Sequence, residues 1–127
     1  MTRVRSLLLG VRCLSWILAL TIIALSAIPA TSRPVTSAGH NLEHLAIFLA
    51  FGFAHGMGYH RTPARTLVQI LAFAVLIELV QVFVPGRHAR ILDIFLDGSA
   101  GAVGWLLAML LLRSCPALQI DRPHSTS

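Results

Sequence analysis

The chain has 127 residues, 56% of them hydrophobic and only 12% charged, with a formal net charge of +5. A soluble domain of this size needs more polar surface, so the composition describes one compact membrane domain. Arginine alone carries the positive balance, and the arginines sit at the ends of apolar runs, which marks topology and excludes a nucleic-acid footprint.

In chain order, residues 1–12 hold Arg3, Arg5 and Arg12 and read as a cytoplasmic basic N-terminus. The apolar run that follows is predicted to span over about 13–29. A basic start, an apolar run and Ala27-Ile28-Pro29-Ala30 also fit a cleaved signal peptide. The run is long for such a segment, so a retained first helix is the preferred reading. Residues 30–39 then read as a polar loop containing Pro34.

The second predicted span covers about 42–58, with Asn41 as N-cap and Glu43 in the first turn, where the helix dipole favours an acid. Ala46, Ala50 and Ala54 form a row of small residues, and Gly52 with Gly56 makes a GxxxG pair, read as ordinary helix packing. His55 and His60 are assigned to packing and the membrane interface. Thr62-Pro63 reads as an N-cap followed by proline at the first helical position. A third span over about 66–84 stops against Pro85, and a fourth covers about 91–112. Residues 113–127 read as a cytoplasmic disordered tail. The expected fold is all-α, a polytopic bundle of four transmembrane helices.

With the N-terminus inside, Arg3, Arg5, Arg12, Arg61, Arg65, Arg113 and Arg122 are cytoplasmic, against Arg33, Arg87 and Arg90 outside. That imbalance predicts both termini in the cytoplasm and the connector from Pro85 to Arg90 on the outer face. Arg87 and Arg90 run against the positive-inside rule, which points to a specific use.

Depth turns the polar residues of the last two helices into a constellation. At about 1.5 Å per residue, Glu78 lies roughly 9 Å below the end of helix three and Asp97 roughly 10 Å below the start of helix four. Gln81 and Asp93 share a shallower level, as does His44 near the start of helix two. Glu78/Gln81 and Asp93/Asp97 each occupy one helix face, and the two faces can meet across the antiparallel hairpin. Ala100, Gly101, Gly104 and Ala108 continue the second face as a small, inward strip. Ionisable groups at this depth are costly and mark a pocket or a structural pair. For Asp93 the alternative is a charge on a helix N-terminus, for Arg87 a snorkelling anchor, and for His44 a polar helix-start residue.

His44, then Glu78-x-x-Gln81-x-x-x-Pro85-Gly86-Arg87, then Asp93-x-x-x-Asp97 with Gly101 and Gly104, resembles the VanZ-like family of small bacterial membrane proteins. The resemblance runs over roughly residues 40–112, within the four-helix domain that composition places at 13–112. The chain departs from the family in having His40 and Asn41 where an acid and a lysine often precede the histidine. The resemblance implies a multi-pass protein of the bacterial inner membrane and cell envelope, with a founding member linked to teicoplanin resistance. It implies no established reaction.

Two function classes follow. In the first, Arg87, Arg90, His44 and Gln81 bind an anionic lipid or lipid-linked envelope precursor at the outer leaflet, and Glu78, Asp97 and Asp93 supply acid/base or ligand chemistry. In the second, the bundle is a noncatalytic scaffold that binds a partner, with its carboxylates paired for structure. The chain lacks a nucleophile motif and a phosphate-cradling glycine loop, and Cys13 and Cys115 have no metal spacing, so no metal site is expected and the cofactor stays unspecified.

Overall fold

A computed structural model describes residues 2–29, 40–85 and 90–115. Four α-helices follow one another: α1 (Thr2–Ala27), α2 (His40–Gly58), α3 (Pro63–Val82) and α4 (Ile91–Ser114). α1, α3 and α4 each contain a segment long and apolar enough to cross a membrane, and α2 contributes the shorter apolar stretch Leu42–Gly58. Leu20, Val68, Leu79, Phe95 and Leu106 point outward, while His44, Glu78, Gln81 and Asp97 are buried. An apolar exterior around a polar interior is what a bilayer requires and water does not, so the chain is a multi-pass membrane protein.

The helix ends differ from expectation where local capping gives way to continued hydrogen bonding. α1 starts at Thr2, so the arginine-bearing segment is helical and continuous with the apolar run that follows. α2 starts at His40, which puts Asn41 inside the first turn and corrects its reading as the N-cap. Thr62 and Pro63 do occupy the N-cap and N1 positions of α3, but Thr62 makes no side-chain cap. Closure comes instead from buried Thr66, whose hydroxyl proton is shared between the carbonyls of Tyr59 (3.0 Å) and Thr62 (2.9 Å). α3 ends at Val82 and unwinds through tighter turns, Phe83 N–H donating to Val80 O and Val84 N–H to Gln81 O. α4 continues through Arg113 to Ser114 before its C-cap at Cys115. The expected 30–39 loop, the tip of the connector with Arg87 and most of the expected tail lie outside the described residues.

α2 is the centre of the bundle and packs on all three other helices, most extensively on α4. α3 and α4 also pack together, as the hairpin reading allows, but less extensively. The pairings His44 with Asp97, Gly52 with Gly101 and Gly56 with Ala108 advance together along both chains, so α2 and α4 run parallel. A Cβ on Gly52 would overlap the Gly101 carbonyl, and one on Gly104 would overlap the Leu49 carbonyl. Helix backbones this close have no room for any side chain. The GxxxG pair is thus the principal helix contact, while Ala46 and Ala50 of the alanine row are exposed. The small residues of α4 serve this contact more than they line a pocket. Phe48 and Phe51 of α2, Phe73, Ile70 and Ile77 of α3, Ala19 and Ile22 of α1 and Ala100 of α4 form the dry middle layer.

Four hydroxyl groups on the helices find partners within their own turns, as a bilayer favours. Ser15 donates to Arg12 O (3.0 Å), Thr21 to Ile17 O (2.8 Å), Ser99 to Leu96 O (2.9 Å) and Ser114 to Leu110 O (3.0 Å).

Candidate functional site

The polar residues gather at the end of the bundle where α2 begins, α3 ends and α4 begins. His44, one turn into α2, donates from Nδ1–H to Asp97 Oδ2 at 3.2 Å, and their side chains are 11% and 3% exposed. This contact joins residues that counting placed at two different levels, because α2 and α4 pack in parallel. With the carboxylate acting as acceptor, the bond fixes the proton on Nδ1 and orients the ring, which also stacks beside Phe48.

Glu78 is 2% exposed on α3 and accepts a hydrogen bond at Oε2 from the main-chain N–H of Arg90 (3.3 Å). Arg90 is the N-cap residue of α4, in extended conformation, and its side chain is exposed. Glu78 therefore ties the end of α3 to the start of α4 across the connector, through one of the amide groups that a helix N-terminus leaves unsatisfied. Its other oxygen, Oε1, has no hydrogen-bond partner among the described residues, and the same holds for Nε2 of Gln81, which is 5% exposed. Glu78 also lies within electrostatic reach of Asp93, Asp97 and His44. Asp93 sits half-buried in the first turn of α4, its N–H donating to Arg90 O.

Of the residues singled out by sequence, the structure thus brings together His44, Glu78, Gln81, Asp93 and Asp97. Arg90 joins them through its main chain, a role that residue type could not signal. Arg87 lies outside the described residues. Among the described residues no group of three His, Cys, Asp or Glu side chains is arranged to hold a metal ion.

The opposite end carries a second polar cluster. Arg12 Nε donates to Gly58 O at 2.9 Å, capping the C-terminus of α2, and its guanidinium lies 5.0 Å from the Tyr59 ring centre. Trp16 Nε1–H donates to Tyr59 Oη (3.0 Å). The buried His55 ring lies between Phe51 and Tyr59, with Nδ1 3.4 Å from Ser15 Oγ and Nε2 3.4 Å from Gln69 Oε1. His60 donates from Nδ1–H to Met57 O. Both histidines are engaged by neighbouring residues near the end of α2, in keeping with the packing role read for them. Ser15, Gln69 and Trp16 were not legible as members of the cluster, and the only sequence signal is the aromatic spacing of Phe51, His55 and Tyr59.

No curated protein and no solved structure matches the chain. The family model described as VanZ/LLP1 matches residues 7–112, a stretch that contains every residue of the polar site, and the chain accordingly belongs to the VanZ/LLP1 family.

Proposed function

We propose that the connector end is a headgroup pocket facing the outer leaflet of a bacterial cytoplasmic membrane, and that it takes an anionic lipid or lipid-linked envelope precursor. In this reading both termini are cytoplasmic, as the arginine distribution favours. The observation that carries it is the burial of His44, Glu78, Gln81 and Asp97 from three helices at one end of an otherwise lipid-facing bundle. Carboxylates and an amide in that setting are expensive and are retained for a partner or a task. Arg87 and Arg90 supply the positive charge at the mouth, and the planar guanidinium of Arg87 grips a phosphate through two hydrogen bonds. His44, oriented by Asp97, together with Glu78 and Asp93 forms the acid/base set should the bound lipid be turned over.

A noncatalytic scaffold is the second reading, and the His44–Asp97 hydrogen bond favours it, because a pair satisfied internally suffices to lock α2 onto α4. Native mass spectrometry of the full chain from nanodiscs separates the two. The pocket reading expects phosphatidylglycerol to be retained over phosphatidylcholine, and Arg87→Lys to release it at unchanged membrane abundance. Equal retention of the two lipids by the native chain would leave only the scaffold.

A further inference from the structure

Among the described residues four buried side-chain atoms lack a hydrogen-bond partner: Ser26 Oγ, Glu78 Oε1, Gln81 Nε2 and Trp105 Nε1. Two of the four belong to residues three apart on α3, hence on one helix face, and both of these residues are more than nine-tenths buried at the connector end. Every other buried polar group near them is engaged, Asp97 by His44 and Glu78 Oε2 by the Arg90 amide. An unmade hydrogen bond in a buried site carries the full desolvation penalty of the group, so two on one face call for a hydrogen-bonding partner there.

The chemistry of that ligand portion follows from what surrounds the two atoms. Asp93, Asp97 and His44 lie within electrostatic reach of Glu78, and three carboxyl groups against one imidazole disfavour a phosphate or carboxylate at the floor of the site. An ammonium group would satisfy Glu78 but leave the Gln81 donor unmet. A hydroxyl is donor and acceptor at once, so a pair of neighbouring hydroxyls meets Glu78 Oε1 and the Gln81 amide together. It does so whichever way round that amide is turned, and whether or not Glu78 carries a proton.

Resting on the headgroup-pocket reading above, we propose that the floor formed by Glu78 and Gln81 binds a vicinal-diol group of the lipid headgroup. The diol comes from the glycerol of an anionic phospholipid or from the sugar of a glycolipid. The site then selects for the polyol as well as for charge, because a lipid lacking the hydroxyls leaves both buried atoms unpaired.

The test uses the full chain in nanodiscs, read by native mass spectrometry, with three probes beside phosphatidylcholine. Phosphatidylglycerol carries one charge and the diol, phosphatidylmethanol carries one charge and no diol, and diglucosyldiacylglycerol carries sugar hydroxyls and no charge. The native chain is expected to retain phosphatidylglycerol at least about tenfold better than phosphatidylmethanol, the effect of losing one to two buried hydrogen bonds. Gln81→Met, similar in shape but without hydrogen-bonding capacity, is expected to bring that ratio towards one while keeping the preference for anionic lipid. Should Gln81→Met fail to insert, the native ratio alone decides. Retention of diglucosyldiacylglycerol assigns the diol to a sugar, and its rejection assigns it to glycerol; either supports the diol floor so long as phosphatidylglycerol beats phosphatidylmethanol. Equal retention of those two anionic lipids, both above phosphatidylcholine, overturns the diol inference and leaves the headgroup pocket standing. No preference over phosphatidylcholine for any probe overturns both.

Discussion

Alanine at Gly104 tests the parallel α2/α4 contact on which the site is built. The added Cβ would overlap the Leu49 carbonyl and sit 2.8 Å from Phe53 N and 3.0 Å from Leu49 C. All three are main-chain atoms of α2, and no rotamer change removes them. Bringing Phe53 N alone out to ordinary contact at 3.4 Å separates the helices by 0.6 Å. A radial gap of about that size forfeits between a quarter and a half of the dispersion attraction along the whole contact. The expected loss is about 2–3 kcal/mol, in the upper part of the overpacking range. Gly98 and Gly10 provide internal controls in the same chain. A Cβ on Gly98 meets Leu71 Cδ2 at 3.5 Å, which is ordinary contact, and one on Gly10 meets nothing within 4 Å. Replacement there gains roughly 0.5–1 kcal/mol of helix propensity. Equilibrium unfolding in mixed micelles should therefore rank Gly10→Ala and Gly98→Ala at or above the native chain and Gly104→Ala well below it. If Gly104→Ala matched Gly98→Ala within about 0.5 kcal/mol, the close approach of α2 and α4 would be refuted.

Asp97→Leu is expected to destabilise by about 1–3 kcal/mol by removing the acceptor of the His44 Nδ1–H, whereas the double replacement His44→Phe/Asp97→Leu restores stability without restoring lipid binding. Two additive losses in a double-mutant cycle would show that the pair is not coupled. Tyr59→Phe removes the Trp16 hydrogen bond at the far end and should cost only about 0.5–1.5 kcal/mol, with lipid binding unchanged; a change in lipid selectivity would couple the two ends of the bundle. Reporter fusions after Arg122 and at His88 are expected to read cytoplasmic and extracytoplasmic respectively, and an extracytoplasmic signal after Arg122 would overturn the proposed orientation.

Four apolar helical runs, the proline-marked end of helix three and the membrane class were legible in the sequence, because the bilayer penalises any unpaired backbone and leaves a helix as the only solution for each run. The inward position of Glu78, Gln81 and Asp97 was legible for the same reason, since a charge facing hydrocarbon is too costly to keep. Which helices touch was not. Sequence adjacency pointed to α3 against α4, which do pack, but the closest approach is between α2 and α4, decided by where Gly52 meets Gly101, Gly56 meets Ala108 and Gly104 meets Leu49 and Phe53. Glycine spacing advertises that a helix accepts a close neighbour without naming the neighbour. The partner choices inside the site followed from that packing. His44 met Asp97 across two expected depth levels, and Glu78 met the amide of Arg90 in place of a side chain, because hydrogen bonds depend on interhelical placement to within a few tenths of an ångström, which only the tertiary structure sets.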